Sequence, residues 1–158
     1  GLAGLRVGYG VAHIEIANLL VRTKVPWNVN CLAQVAAIAA LNDNEYLRRT
    51  WKLIKSERTF LLSKLRAING FKVFPTYANF IFIDIRNSGL TAAELKERLL
   101  KYGILIRDCG SFRGLDEYYI RIAVRTRQEN ERLIKALKEV LNALENDEAH
   151  KNKSYLLG

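Results

Sequence analysis

The chain has 158 residues, of which 49% are hydrophobic and 26% are charged, with two cysteines and a formal net charge of +9. This length allows one ordinary domain, or one small domain plus part of another, and the apolar fraction is enough for a core. No apolar run approaches the roughly 18–20 residues that span a bilayer, so we expect no membrane segment. Two cysteines exclude a disulfide framework, and we expect a cytoplasmic protein with reduced thiols. His13 and His150 lie far apart, so no metal site is expected.

The N-terminal third begins with a glycine-rich segment. Residues 5–9 are predicted to form a short strand after a tight glycine turn. Residues 11–22 are apolar and predicted to be helical, and a connector containing Pro26 follows them. The alanine-rich residues 31–41 predict a second helix, with Asn30 as its N-cap.

The longest helix is predicted over residues 45–68, where apolar residues recur at spacings of three and four. This stripe consists of Leu47, Trp51, Ile54, Leu61, Leu65 and Ile68. Arg58 occupies a position where the stripe calls for another apolar residue. Gly70 follows the helix, as is typical of a helix end that needs a positive φ.

Strands dominate the following segments. Residues 71–85 predict one strand, and its residues 80–83 are apolar on both faces, which favours a central strand covered on both sides. Shorter strands are predicted at 104–107 and 118–125. Because a single loop joins these two, we expect them to pair antiparallel.

Two capping boxes mark the remaining helices. Thr91 with Glu94 predicts a helix to about residue 101, and Thr126 with Glu129 predicts one to about residue 144. Residues 145–158 are predicted to be a polar tail. The fold class is therefore α/β of the α+β type, with helices packed on one face of a small mixed or antiparallel sheet.

Arginines in the last two strands are candidate binding residues. In a strand, Arg121 shares one face with Ala123 and Arg125, while Ile120, Ile122 and Val124 share the other. Burying an unpaired guanidinium is costly, which favours an anionic ligand, although an exposed face bearing two arginines is the alternative. If the strands pair, Arg107 and Arg121 converge on one ligand. Arg113 and Arg125 are weaker candidates.

The opening segment, Gly1-Leu2-Ala3-Gly4-Leu5-Arg6-Val7-Gly8-Tyr9, resembles the stretch that follows the Schiff-base lysine in fold-type-I pyridoxal 5'-phosphate (PLP) enzymes of aminotransferase class I/II. The resemblance continues through Ala78-Asn79-Phe80, Ile106-Arg107-Asp108 and the strand around Arg121, to about residue 144. It implies that residues 1–43 are the end of the large PLP-binding domain and a connector. Residues 44–144 would then be the C-terminal small domain.

The resemblance also implies site roles. PLP would be the cofactor, with Arg6 clamping its phosphate. Arg121 would clamp the substrate α-carboxylate, and Arg107 would be a second contact to a phosphorylated amino-acid substrate. The family lysine would lie ahead of Gly1, so we expect no catalytic residue in this chain and no activity from it alone. The full-length enzyme is expected to be a homodimer.

Two enzyme families fit this pattern. The segments look like histidinol-phosphate aminotransferases and, more closely, L-threonine-O-3-phosphate decarboxylases of cobalamin synthesis. The closer match rests on the motif from Arg107 to Phe112 and on Arg125, where the aminotransferases usually carry glycine. We therefore expect the decarboxylase, with the aminotransferase as the alternative.

An alternative of another class is a basic nucleic-acid-binding domain, which the net charge of +9 favours. However, basic residues alternate with acids along the helices, as in Glu57-Arg58, which is typical of a solvated face. We therefore expect no nucleic-acid partner.

Overall fold

The computed structural model describes the backbone of residues 1–155 and the side chains of residues 1–144 and 146. It divides into two compact units, Gly1–Arg49 and Thr50–Gly158. The helices are α1 (Ile14–Thr23), α2 (Cys31–Asn42), α3 (Asn44–Arg66), α4 (Ala92–Leu100) and α5 (Arg127–Tyr155). The strands are β1 (Lys72–Val73), β2 (Phe80–Asp84), β3 (Arg107–Asp108) and β4 (Tyr119–Ala123), and short 3-10 turns occupy Ala3–Leu5 and Arg86–Ser88.

The N-terminal unit contains helices but no strand. The strand predicted over residues 5–9 is wrong: Ala3–Leu5 is a 3-10 turn, and Arg6 follows it at φ 56° with its N–H bonded to Ala3 O. A left-handed residue interrupts an extended run, which explains the difference. Helix α2 begins and ends close to its predicted bounds. Asn30 caps it as predicted, since its Oδ1 accepts a 2.8 Å hydrogen bond from the Ala33 N–H.

The C-terminal unit is built on a four-stranded antiparallel sheet with the strand order β1-β2-β4-β3. The segment 71–85 contains two strands rather than one, because β1 pairs with β2 through Val73 opposite Ile83. Strand β2 is central, as predicted. The prediction that both its faces are covered is wrong, because Ile81 is fully buried while Phe80 is only half-buried.

Helices α3, α4 and α5 bury the isoleucine face of this sheet. The largest fully buried side chains of this core are Leu61, Leu65, Ile81, Ile83, Ile85, Leu95, Leu99, Ile120 and Leu137. Burial of each contributes roughly 1.5–3 kcal/mol relative to exposure. The predicted class is confirmed as helices on one face of a small antiparallel sheet. The other sheet face carries Arg121 together with the aromatic rings of Phe82 and Tyr119.

The long helices differ from prediction in two ways. Helix α5 is the longest, with 29 residues, because it continues to Tyr155 through most of the predicted polar tail. The last three residues of that predicted tail, 156–158, lie outside the described residues. In α3, Leu47 and Trp51 of the predicted stripe are 54% and 75% exposed. Among the described residues, no helix is long and apolar enough to cross a membrane.

Glu57, rather than Arg58, is the charged residue within the buried stripe of α3. Glu57 is 4% exposed, and its carboxylate accepts hydrogen bonds from Arg127 Nε at 3.1 and 3.2 Å and from Arg127 Nη2 at 3.0 Å. Asn130 donates a further bond of 3.0 Å to it and one of 2.9 Å to the Arg125 carbonyl. These bonds, those from Arg127 above all, hold the pKa of Glu57 below its ordinary value. The prediction that Glu57 lies on a solvated face is wrong.

Both predicted caps place a glutamate at a helix start. The Thr91–Glu94 box is confirmed: Glu94 Oε2 accepts from the Thr91 N–H at 2.8 Å, and Thr91 Oγ1 accepts from the Glu94 N–H at 3.3 Å. At α5, Glu129 accepts from the Thr126 N–H at 3.1 Å and from Arg125 Nη2 at 2.6 Å. The Arg125 guanidinium, with help from Thr126, lowers the pKa of Glu129 to about 2.

Candidate functional site

The two arginines singled out in the strands lie directly opposite each other. In the β3–β4 register, Arg107 pairs with Arg121. Directly opposed residues of an antiparallel pair project to the same face, with Cα atoms about 4.5–5.5 Å apart. Two like charges placed this way destabilise a sheet unless an anion lies between them. The structure therefore brings the two predicted residues together on the face that the helices leave uncovered.

Both arginines line an open groove of about 650 Å³, which we call the arginine groove. Asn79 and Phe80 also line it, and Lys96 of α4 contributes a third cation. Asp108 is the single carboxylate among its lining residues, so cations outnumber anions by three to one. This charge distribution suits a carboxylate or a phosphate.

Aromatic rings, rather than acids, hold the two guanidinium groups. Arg121 lies over the ring of Phe80 at 4.9 Å, and Arg107 lies over Phe112 at 5.5 Å. Arg107 Nη2 also donates to Ser111 Oγ at 3.3 Å. A cation–π contact orients the planar guanidinium over the aromatic ring. The N–H donors at the edge of the guanidinium then remain available to a ligand. Neither charge is neutralised by a carboxylate within ion-pair distance among the described side chains.

Arg6 belongs to the N-terminal unit and is exposed. Its Nη1 donates to Ala3 O at 3.2 Å, which uses one of the five N–H donors of a guanidinium. A Cβ built at Gly4 or Gly8 would meet nothing within 4 Å, so the backbone on both sides is open. The remaining N–H donors of this guanidinium fork suit the oxygens of a phosphate group such as that of PLP.

The weaker candidates, Arg125 and Arg113, do not line the arginine groove, and Arg58 is held by structural contacts. Arg125 is paired with Glu129 at 2.6 Å and lines a separate cavity of about 260 Å³. Arg58 Nη1 donates to Tyr77 O at 2.6 Å and to Ala78 O at 3.3 Å, which fixes the turn before Asn79. Arg113 is exposed on the loop after β3.

Cys109 is the buried thiol beside this site, with 2% of its surface exposed. Burial raises the pKa of Cys109, against a lowering by the charges of Arg121 and Arg107. A buried, protonated thiol is a poor nucleophile. Cys109 therefore contributes packing to this region.

Three polar residues of the groove, Asn79, Lys96 and Asp108, were not among the predicted site residues. Asn79 lies within the Ala78-Asn79-Phe80 segment that carried part of the resemblance, and that segment was the available signal. Lys96 gave no signal, because it is one of several charged residues on an ordinary amphipathic helix. Its place in the groove depends on how α4 packs beside β3.

The family model that matches the chain is that of class I and II aminotransferases, and it covers residues 1–137. The chain belongs to this family. The histidinol-phosphate aminotransferases of Methanosphaera stadtmanae and Methanothermobacter thermautotrophicus are 40% and 42% identical to it over 141 residues. In both cases, that stretch is 89% of this chain and 38% of the relative. The chain thus spans less than half the length of the curated relatives that it matches.

Solved structures of the same family resemble the chain. The histidinol-phosphate aminotransferase of Clostridium acetobutylicum has a TM-score of 0.74 at 35% identity, covering 82% of this chain and 38% of that one. The L-threonine-O-3-phosphate decarboxylase of Porphyromonas gingivalis has 0.73 at 34%, covering 88% and 42%. The histidinol-phosphate aminotransferase of Sinorhizobium meliloti has 0.77 at 30%, covering 91% and 39%, and its structure contains PLP.

These comparisons confirm the predicted family and fold, and PLP as a cofactor found in the family. They favour the histidinol-phosphate aminotransferases over the decarboxylase, which corrects the order in which the sequence ranked the two. One residue behind that ranking has a structural partner in the fold. Arg125, which supported the decarboxylase, is held by Glu129 at the start of α5 and does not line the arginine groove.

Proposed function

We propose that the chain acts as the C-terminal part of a PLP-dependent aminotransferase of the histidinol-phosphate type. The observation that carries this proposal is the Arg107–Arg121 pair in the arginine groove. A transaminase of this type takes two anionic partners in turn, a phosphorylated amine and an amino acid. Guanidinium groups bind both phosphate and carboxylate, so one arginine pair serves both partners.

In this proposal, Arg121 is the main clamp for the substrate anion and Arg107 is the second contact. Lys96 adds a third positive charge at the side of the groove. Arg6 holds the phosphate of PLP, which supplies the electron-withdrawing ring of the reaction when bound. No lysine of this chain lies in the family's Schiff-base motif, so we propose that the chain alone binds anions but does not catalyse.

A second candidate is the decarboxylation of threonine phosphate, for which the Porphyromonas gingivalis structure at 34% identity is the supporting observation. The same three arginines would serve it. The two reactions differ in which bond at the substrate Cα lies perpendicular to the PLP ring. This difference concerns substrate orientation on the cofactor rather than the anion-binding residues.

The two reactions can be distinguished by assaying an enzyme that contains both this chain and the segment with the family's Schiff-base lysine. For the proposed aminotransferase, we expect glutamate-dependent turnover of imidazole-acetol phosphate and no CO₂ from threonine phosphate. Release of CO₂ from threonine phosphate without a keto-acid partner would select the decarboxylase. Absence of both activities in an enzyme that binds PLP would contradict the proposed substrate class.

We also propose that the enzyme is a homodimer. The support is a set of large apolar residues on the N-terminal unit that are more than half exposed: Ile14, Leu19, Leu20, Val21, Leu32, Val35 and Ile38. Apolar surface on this scale marks an interaction site. Sedimentation over a concentration series is expected to show self-association, which Leu20→Lys together with Val35→Lys should weaken. A clean monomer at high concentration would count against the dimer.

A further inference from the structure

A cluster outside the groove links the end of β2 to the loop between β3 and β4. This Arg86 cluster consists of Asp84, Arg86, Asp116 and Tyr119. Arg86 Nε donates to both oxygens of Asp84, at 2.8 and 3.0 Å, and the Asp84 side chain is 7% exposed. Arg86 Nη2 reaches across to Asp116 Oδ2 at 3.3 Å and to Tyr119 Oη at 3.2 Å. One guanidinium therefore connects three partners from two segments.

Aromatic contacts reinforce the same connection. The Arg86 guanidinium lies 5.6 Å from the ring centre of Tyr118 and 5.5 Å from that of Tyr119. The Tyr119 ring stacks on Phe82 at 5.3 Å, with an angle of 6° between the planes. Tyr119 is two residues before Arg121 on β4 and thus on the same face as the arginine groove. Tyr119 is the first residue of β4, so the cluster anchors the beginning of the strand that carries Arg121.

The loop between β3 and β4 consists of residues 109–118. Near its first residues, this loop contacts the side chain of Arg107. Strand β3 has only two residues and lies at the sheet edge, so the strand sets the backbone of Arg107 but not its exposed side chain. Ser111 and Phe112 of the loop contact that side chain. Asp116, at the far end of the same loop, is held by Arg86 and also caps the Tyr118 N–H at 3.1 Å.

We propose that Arg86 is a positioning residue for the β3–β4 loop. By ordering this loop, Arg86 keeps the side chain of Arg107 in the position from which it binds an anion together with Arg121. Arg86 itself does not line the arginine groove. Its effect on binding is one of preorganisation: a loop that is already ordered loses less freedom when the ligand arrives. This inference rests on the proposed function, because it assumes that the groove binds an anion.

The test uses the 158-residue chain, with inorganic phosphate as the probe and the arginine Nε–H NMR signals of Arg107 and Arg121 as the readout. Arg86→Lys keeps a charge for Asp84 but loses the reach to Asp116 and Tyr119. Tyr119→Phe removes only the bond from Arg86 to Tyr119 Oη, leaves the Arg86–Asp116 pair in place and keeps the ring stack. Arg86→Lys is expected to weaken phosphate binding about 3- to 10-fold, the range for losing one or two preordered groups, and Tyr119→Phe is expected to weaken it less. The matched control, Arg113→Lys, makes the same substitution in the loop and should change nothing.

Hydrogen exchange provides a readout that does not depend on the ligand. The Tyr118 N–H and the Ala92 N–H, which bonds to Glu117 O at 2.7 Å, should exchange faster in Arg86→Lys and in Tyr119→Phe. Core amides such as that of Val124 should not change. The double variant should be no worse than Arg86→Lys, because Arg86→Lys already removes the bond to Tyr119.

Three outcomes separate the inference from the function on which it rests. Unchanged loop exchange and unchanged phosphate binding in Arg86→Lys and Tyr119→Phe would overturn the positioning role. If Arg86→Lys does not fold, Asp116→Asn decides instead, because it removes the charged loop partner of Arg86 and keeps the oxygen that accepts from the Tyr118 N–H. If phosphate moves neither Arg107 nor Arg121 in the wild-type chain, the proposed function fails, and with it the role of Arg86 in anion binding. The exchange data would then still decide whether Arg86 orders the loop.

Discussion

Replacing Arg121 with leucine is expected to lower kcat/KM about 10²- to 10³-fold in an enzyme that contains this chain. Truncating one partner of a hydrogen-bonded charge pair costs roughly 2–5 kcal/mol, and each 1.4 kcal/mol is a factor of ten. The loss should appear with both anionic partners, the phosphorylated amine and the amino acid, because one pair serves both. Arg121→Lys keeps the charge but loses the fork, so an intermediate loss is expected.

The stability of the Arg121→Leu variant should move little or even increase. Arg107 and Arg121 are like charges placed directly opposite each other, and removing one relieves that repulsion. The lost cation–π contact with Phe80 acts in the other direction and is partly replaced by leucine packing on the same ring. We expect a Tm within about 3 °C of wild type by calorimetry. Arg113→Leu is the matched control, and a kinetic loss of equal size in that control would refute a specific role for Arg121.

Replacing Glu57 with glutamine is expected to lower the Tm of the chain by roughly 5–10 °C. The substitution leaves the shape nearly unchanged but removes the charge that Arg127 and Asn130 contact from three nitrogen atoms. Arg127 would then keep its place over the Phe60 ring, at 3.9 Å, without a carboxylate partner. The control is Glu45→Gln in the same helix, whose 3.8 Å pair with Arg49 is exposed and should be worth almost nothing.

The same pair makes stability depend on pH in a defined direction. The pKa of Glu57 is below its ordinary value of 4.5 in the folded chain, and that of Glu129 is about 2. Groups with a lowered pKa stabilise the fold above the unfolded value and lose that contribution as the pH falls. Wild type should therefore lose stability between about pH 5 and pH 2, and Glu57→Gln should lose less. An equal acid dependence in both proteins would show that the Glu57 pair is not an important source of stability.

The sequence by itself determined the features that depend on near neighbours. The Asn30 cap and the Thr91–Glu94 box are confirmed because each involves groups three residues apart. The antiparallel pairing of β3 and β4 is confirmed because a short loop leaves few other arrangements. The family could also be read from the opening motif, since its spacing is local.

Only the tertiary structure decided which of several equivalent local choices was used. Spacings of three and four both suit a helical stripe, so Glu57 and Arg58 were equally placed, and the choice came from Arg127, which is 70 residues away. The exact register that opposes Arg107 to Arg121, and the arrival of Lys96 from α4, also depend on packing between segments. Burial and charge pairing depend on segments that are distant in the sequence and adjacent in the fold. A sequence pattern with a period of two to four residues therefore does not indicate which distant residue a side chain will contact.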